Sequence, residues 1–200
     1  RDDSKTSATT KFVVGADGAN SFVRQHLGIE YEDLGFDDDW LVADIVIKDP
    51  SSVNLPESAE QICDPKRAIT GVPMPSPRWR CEFRMMPGDT KEDLETPDFL
   101  WRHFKRWNLT PDNSEIERQS VYTFSSKIAR DWRQGRIFLA GDACHLTPPF
   151  LGQGMSMGIR DAKNLSWKID HVLRGIADEK IFDAYTPRSE EHTSELQSLA

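Results

Sequence analysis

No run of about 18 apolar residues occurs in this 200-residue sequence, so no membrane-spanning helix is expected. The apolar core of a secretory signal is missing too, because residues 1–11 are polar. Metal-ligand spacing is absent: the five histidines include no HxxxH pair, and Cys63, Cys81 and Cys144 form no CxxC. An odd number of widely spaced thiols suits reduced cysteines in a cytoplasmic protein better than a disulfide frame or zinc site. Positive charge is scarce, with 25 Lys and Arg against 33 Asp and Glu, a net −8. Nucleic acid requires a basic face, and this balance argues against it. Neither an internal repeat nor a nucleophilic triad is visible. What remains is 38% hydrophobic residues with six Trp, enough for one good-sized domain or two small ones.

Periodicity orders the chain. A short apolar strand over 11–14 meets Gly15, a turn follows, and Ser21 caps a short helix to about Leu27 that Gly28 closes. Residues 30–39 read as an acidic, solvated connection. A strand over 40–47 sets Leu41, Ala43, Ile45 and Ile47 on one face; 50–65 is loop-like, and 68–72 is another strand. The cleanest alternation is 78–85, with Trp79, Cys81, Phe83 and Met85 opposite Arg78, Arg80, Glu82 and Arg84. The arginines face solvent on the simplest reading; a substrate carboxylate is the alternative. A helix over 97–107 and a strand over 116–124 follow, then a strand over 136–140 and a long helix over 154–173. That helix keeps Met155, Ile159, Ala162, Leu165, Ile169 and Val172 at helical spacing, with a small-residue stripe at Gly158, Ala162 and Ser166.

The chemistry concentrates in residues 136–155. A buried strand delivers Asp142 at its carboxyl end, where α/β sheets bind ligands. The carboxylate there can accept hydrogen bonds from ligand hydroxyls. Pro148 and Pro149 stiffen the loop, and Gly152 and Gly154 let a ligand approach the backbone. The helix beginning there offers unpaired N–H groups to an anion. Together these suit a phosphate-bearing polyol. The segment Gly152-Gln-Gly-Met-Ser-Met-Gly158 is not the GxGxxG fingerprint, since its third glycine falls one position late.

Two motifs carry a family resemblance. Val14-Gly-Ala-Asp-Gly-Ala-Asn-Ser21 with Val23-Arg24 resembles the DG motif of flavoprotein aromatic hydroxylases of the p-hydroxybenzoate hydroxylase type. Gly141-Asp142 with His145, Pro148-Pro149 and Gly152-Gln-Gly154 resembles their GD motif. Within that family, Glu32-Asp-Leu-Gly-Phe36, Trp40-Leu-Val-Ala-Asp44 and Asp161-Ala-Lys-Asn-Leu-Ser-Trp-Lys168 look most like 3-(3-hydroxyphenyl)propionate hydroxylases. The resemblance implies an α/β protein, α+β within this chain: an incomplete Rossmann-like FAD domain with an inserted, mostly antiparallel substrate domain. It places FAD-domain segments at 1–29 and 128–187 and the substrate domain at 30–127.

The resemblance further implies that Asp142 bonds the ribityl chain of FAD. Gly141 and Ala143 flank it, and Pro148, Gly152, Gln153, Gly154 and Met155 line the pyrophosphate and the flavin edge. Pro149 would sit beside the flavin, its carbonyl orienting a phenolic hydroxyl. Asp17, Gly18 and Arg24 would support FAD from the DG motif. His145 belongs to the same group by resemblance, and by itself reads more simply as a hydrogen-bonded structural residue. The implied reaction hydroxylates a phenolic aromatic acid with NAD(P)H and O2 through a flavin hydroperoxide. A larger aromatic substrate, or a non-catalytic flavin-binding module, is the alternative. Arg1 opens without Met just before the DG motif, so a segment of a longer enzyme is expected, with the GxGxxG unit outside it. Residues 188–198, RSEEHTSELQS, resemble the translation of a sequencing adapter, so 188–200 is set aside as a sequence artefact.

Overall fold

Short apolar runs stopped by glycine make short strands, and the computed structural model, which describes residues 6–186, opens with one. Strand β1 (Val13–Gly15) leads into helix α1 (Phe22–His26), where the Ser21 hydroxyl accepts from the Arg24 amide at 2.9 Å, as its capping role requires. Strand β2 (Tyr31–Ile47) follows. It corrects the expected acidic connection over 30–39, which from Tyr31 on is the first part of this strand. A strand tolerates the charges because residues 32–35 are all exposed. The segment expected as a loop contains a 3-10 turn, Pro50–Ser52, and strand β3 (Glu60–Ile62). Strands β4 (Ile69–Pro73) and β5 (Arg78–Arg84) precede helices α2 (Lys91–Leu94) and α3 (Pro97–His103). Strand β6 (Ser114–Ala129) is longer than its apolar part suggests. The chain continues through β7 (Arg133–Gln134), β8 (Ile137–Leu139) and β9 (His145–Leu146) to helix α4 (Gly154–Leu173), which has the expected bounds.

The described residues fall into two compact units, divided within β2 after Phe36 and within β6 after Phe124. The expected artefact at 188–200 lies outside the described residues. Among those residues no helix is long and apolar enough to cross a membrane.

In the unit from Asp37 to Phe124 the sheet order is β3-β4-β5-β2-β6, with antiparallel pairing between β3 and β4, β4 and β5, and β5 and β2. Leu41, Ala43, Ile45, Trp79, Cys81 and Phe83 project from one face onto Leu94, Phe99, Leu100, Phe104 and Trp107. Full burial of each large apolar side chain is worth about 1.5–3 kcal/mol, which drives this face inward. Gly71 in β4 is required by that packing, since a Cβ there would lie 2.6 Å from Cζ2 of Trp79. On the other face each arginine of β5 holds a carboxylate: Arg78 with Glu117, Arg80 with Asp44, and Arg84 with Asp38.

The second unit holds a small sheet of order β1-β8-β7, with β1 parallel to β8, and the end of β6 pairs with β9. Trp132, Phe138, Leu139, Cys144, Leu165, Phe182 and Tyr185 fill its core. Helix α4 keeps the expected apolar face in its second half, where Leu165 is in the core and Ile169 and Val172 pack against it, but not in its first, where Met155 is 78% and Ile159 60% exposed. Its buried residues are Met157, Asp161, Leu165 and Lys168. The two charges among them are tolerated because each is partnered inside: Asp161 with Gly141 and His145, and Lys168 with Asn164 and the Ala184 carbonyl.

Candidate functional site

The parallel pairing of β1 with β8 brings the two motif turns side by side. Gly15 stands opposite Leu139, and the Ala140 amide donates to the Gly15 carbonyl at 3.0 Å. Gly15 cannot carry a side chain, because a Cβ would come within 2.7 Å of Val23 on α1. Past β8 the backbone turns at Gly141, with φ +62, into a 3-10 turn over Gly141–Ala143. Helix α4 comes up to this turn through Gly158, where a Cβ would lie 3.4 Å from the Gly141 Cα. A cleft of about 640 Å³ opens between these elements, lined by Val14, Ala16, Gly18, Ala140, Gly141, Asp142, Gly158, Ala162, Leu165, Ser166 and Ile169. The small-residue stripe of α4 thus forms one wall.

The expected site residues separate by position. Gly18, Gly141 and Asp142 line the cleft. The Asp142 carboxylate is exposed and makes no hydrogen bond among the described residues, so its acceptor capacity is open to a ligand. Pro148, Pro149, Gly152, Gln153, Gly154 and Met155 form the loop and the first turn of α4, outside that lining. Gly152 is left-handed at φ +61, and the first amide of this turn bonded back is that of Met157, to the Gln153 carbonyl. Among the described residues the amides of Gly154, Met155 and Ser156 remain available to an anion.

Asp17, Arg24, Ala143 and His145 are outside that lining; Arg24, Ala143 and His145 are buried and Asp17 is exposed. Asp17 accepts from the Ser21 hydroxyl at 2.5 Å and the Val23 amide at 3.2 Å, and the Ser21 bond leads in holding its carboxyl below the usual range. Arg24 is 7% exposed and donates to the Ala19 carbonyl at 3.0 Å and the Ala143 carbonyl at 3.4 Å, which ties one motif turn to the other. His145 is 1% exposed, with Nε2 at 2.7 Å from Oδ2 of Asp161.

Two residues of this arrangement were not expected. Tyr31, at the start of β2, donates its hydroxyl to the Asp142 carbonyl at 2.7 Å and lies under the Arg24 guanidinium, 3.7 Å from the ring centroid. Burial pushes its phenol up to about 12, so it remains a donor at neutral pH. Asp161 was read only as part of a motif string. A charge on the helical spacing of Met157, Leu165 and Lys168 was its available signal. Cys144 is buried, and burial pushes its thiol well up, which disfavours the reactive thiolate.

A glycine-lined cleft, an open carboxylate at its mouth and a helix start beside it fit a flavin nucleotide's hydroxyls and phosphates. The comparisons agree. The chain belongs to the FAD binding domain family, whose profile matches residues 1–199. A probable NADH-specific resorcinol 4-hydroxylase of Rhodococcus jostii is 43% identical over 191 residues, covering 95% of this chain and 35% of that protein. A 3-(3-hydroxyphenyl)propionate/3-hydroxycinnamic acid hydroxylase of Escherichia coli is 35% identical, covering 98% of this chain and 35% of that protein. The chain therefore spans about a third of the length of these relatives. Among solved structures, aklavinone-11 hydroxylase with FAD and aklavinone superposes with TM-score 0.80 at 27% identity, over 93% of this chain and 36% of that one. The p-nitrophenol 4-monooxygenase of Pseudomonas putida gives TM-score 0.80 at 26% identity, over 94% of this chain and 48% of that one. The mixed helix and strand content and the antiparallel sheet accord with the fold class expected from the sequence.

Proposed function

We propose that this chain forms part of the FAD site of an aromatic monooxygenase that hydroxylates a small phenol, with NADH as reductant. The observation that carries the reading is the exposed, unpartnered carboxylate of Asp142 at the carboxyl end of β8, beside a glycine-lined cleft, in a chain of the FAD binding domain family. The preference for a small phenol and NADH rests on relatives named for resorcinol, NADH and hydroxyphenylpropionate. Bound FAD would supply the oxygen-transfer chemistry, with the nicotinamide as reductant and O2 as oxidant.

The residues of this chain do the rest. Asp142 would hold FAD by accepting hydrogen bonds from its ribityl hydroxyls. Gly141 and Gly158 keep side chains out of the way, and the first turn of α4, from Gly154, offers amides and a positive dipole end to phosphate. Pro149 presents a carbonyl and no N–H, so it can accept from a phenolic hydroxyl and donates nothing. Arg24 and Tyr31 hold the two motif turns together, and Asp17 braces the first of them through Ser21 and Val23. In this reading the unit from Asp37 to Phe124 belongs to the substrate side.

The test uses the full-length protein. Flavin released on denaturation is identified by chromatography, and NADH consumption is followed with resorcinol and with 3-(3-hydroxyphenyl)propionate. Incorporation of one atom from 18O2 into the product is expected with one of them. Asp142→Ala is expected to weaken FAD at least tenfold, the scale of losing a charged hydrogen bond. A protein that holds no flavin, or that oxidises NADH without a hydroxylated product from any phenol, refutes the assignment.

A further inference from the structure

Asp161 is the least expected residue of α4. It is 3% exposed, and a carboxylate is seldom so buried unless several donors hold it. Its Oδ2 accepts from the Gly141 amide at 2.9 Å and stands 2.7 Å from Nε2 of His145. These two partners bracket Asp142 along the chain. Gly141 sets the direction in which the backbone leaves β8, and His145 begins β9. A carboxylate only accepts, so the pairing places the imidazole hydrogen on Nε2. The other ring nitrogen, Nδ1, is buried and has no hydrogen-bond partner among the described residues, so the side-chain hydrogen bond of the histidine goes to Asp161. A single oxygen of the helix therefore pins both ends of the turn that presents Asp142.

We propose that Asp161, with His145, is a positioning residue for the flavin: it fixes the Gly141–Ala143 turn so that the Asp142 carboxylate is preset toward the ribityl hydroxyls. The proposal rests on the flavin reading above. Its physical basis is preorganisation. A turn held in its binding geometry before the ligand arrives loses less conformational freedom on binding; contacts behind metal ligands, the comparable case, commonly change affinity by about 10- to 100-fold. A purely structural role would instead stabilise α4 without a special effect on the cofactor.

The experiment compares Asp161→Ala, Asp161→Asn and Lys168→Met in the full-length protein. Lys168 is the other buried charge of α4, and it bonds Asn164 and the Ala184 carbonyl instead of the turn. FAD affinity is read by flavin fluorescence well below each variant's melting temperature, and exchange of the Gly141 amide is read by NMR. Asp161→Ala is expected to weaken FAD about tenfold or more and to speed Gly141 exchange, while Asp161→Asn, which keeps an oxygen for that amide, retains most of the affinity. Lys168→Met is expected to lose thermal stability yet hold FAD normally. Equal loss of affinity in Asp161→Ala and Lys168→Met, or unchanged Gly141 exchange in Asp161→Ala, overturns the proposal. A wild-type protein without FAD affinity refutes the flavin reading alone, and Gly141 exchange still decides what Asp161 does.

Discussion

Replacing Arg24 by Met keeps an apolar stem and removes the guanidinium that joins the two motif turns. The structure sets the scale of the loss. The bond from Arg24 to the Ala19 carbonyl, at 3.0 Å, is a well-formed charged hydrogen bond, worth about 1.5–3 kcal/mol. The contact to the Ala143 carbonyl is long at 3.4 Å and adds little. Stacking of the guanidinium 3.7 Å over the Tyr31 ring contributes about 1 kcal/mol. Removing a buried cation also relieves its desolvation, so the net destabilisation should be about 2–3 kcal/mol. Because the whole protein need not unfold in one step, the assay is native-state hydrogen exchange at the amides of α1. Exchange should accelerate roughly 30- to 150-fold, at about 1.4 kcal/mol per factor of ten. Tyr31→Phe removes the bond to the Asp142 carbonyl and should cost about 1 kcal/mol. In the double variant the two losses should add to within about 0.5 kcal/mol, because Phe keeps the ring that the guanidinium stacks on and only the shared Ala19 carbonyl couples the two sites. A change below about 0.5 kcal/mol in Arg24→Met would refute the clamp.

Three further outcomes follow from the other unit. Gly71→Ala drives a Cβ to 2.6 Å from Trp79, whose ring is 4.7 Å from that of Trp107, so a loss of about 2–3 kcal/mol is expected in urea denaturation; Trp79→Phe, which removes the obstructing ring edge, should make Gly71→Ala much milder. Glu82 is buried and its carboxyl is pushed up by desolvation, so its charge destabilises the fold increasingly as pH rises from its ordinary value of 4.5 through the higher folded one. Glu82→Gln should then melt higher than the parent at pH 7 and equally at pH 4, and a lower melting point at pH 7 would contradict this. Asp89 is held below its ordinary 3.8, first by the hydrogen bonds of Arg67, so its stabilising contribution is complete above that value and lost as pH falls through the folded one. Arg67→Met should cost about 1–2 kcal/mol at neutral pH and flatten the acid limb of the stability profile; an unchanged limb would show that the pair is not its source.

Local patterns in the sequence determined the elements whose cause is local. Alternation across 78–85 specified β5 and its buried face, because successive side chains on a strand point to opposite sides. Ser21 and Gly28 marked the ends of α1, since a hydroxyl cap and a left-handed glycine act within a few residues. The bounds of α4 were likewise legible, and so was Asp142 as the residue presented at a strand's end. Periodicity placed Leu165, Ile169 and Val172 of α4 correctly but missed the burial of Asp161 and Lys168, because a buried charge looks unfavourable until its partners are known. Those partners lie far along the chain: Asp161 meets His145 sixteen residues away, Tyr31 meets Asp142 across 111 residues, and Arg24 meets Ala143 across 119. Only the tertiary structure, through the parallel pairing of β1 with β8, brings such groups within hydrogen-bond reach. It decided that Arg24 and His145 are buried away from the cleft while Asp142 is part of its lining, because the satisfaction of a buried polar group is settled by packing and cannot be read from local periodicity.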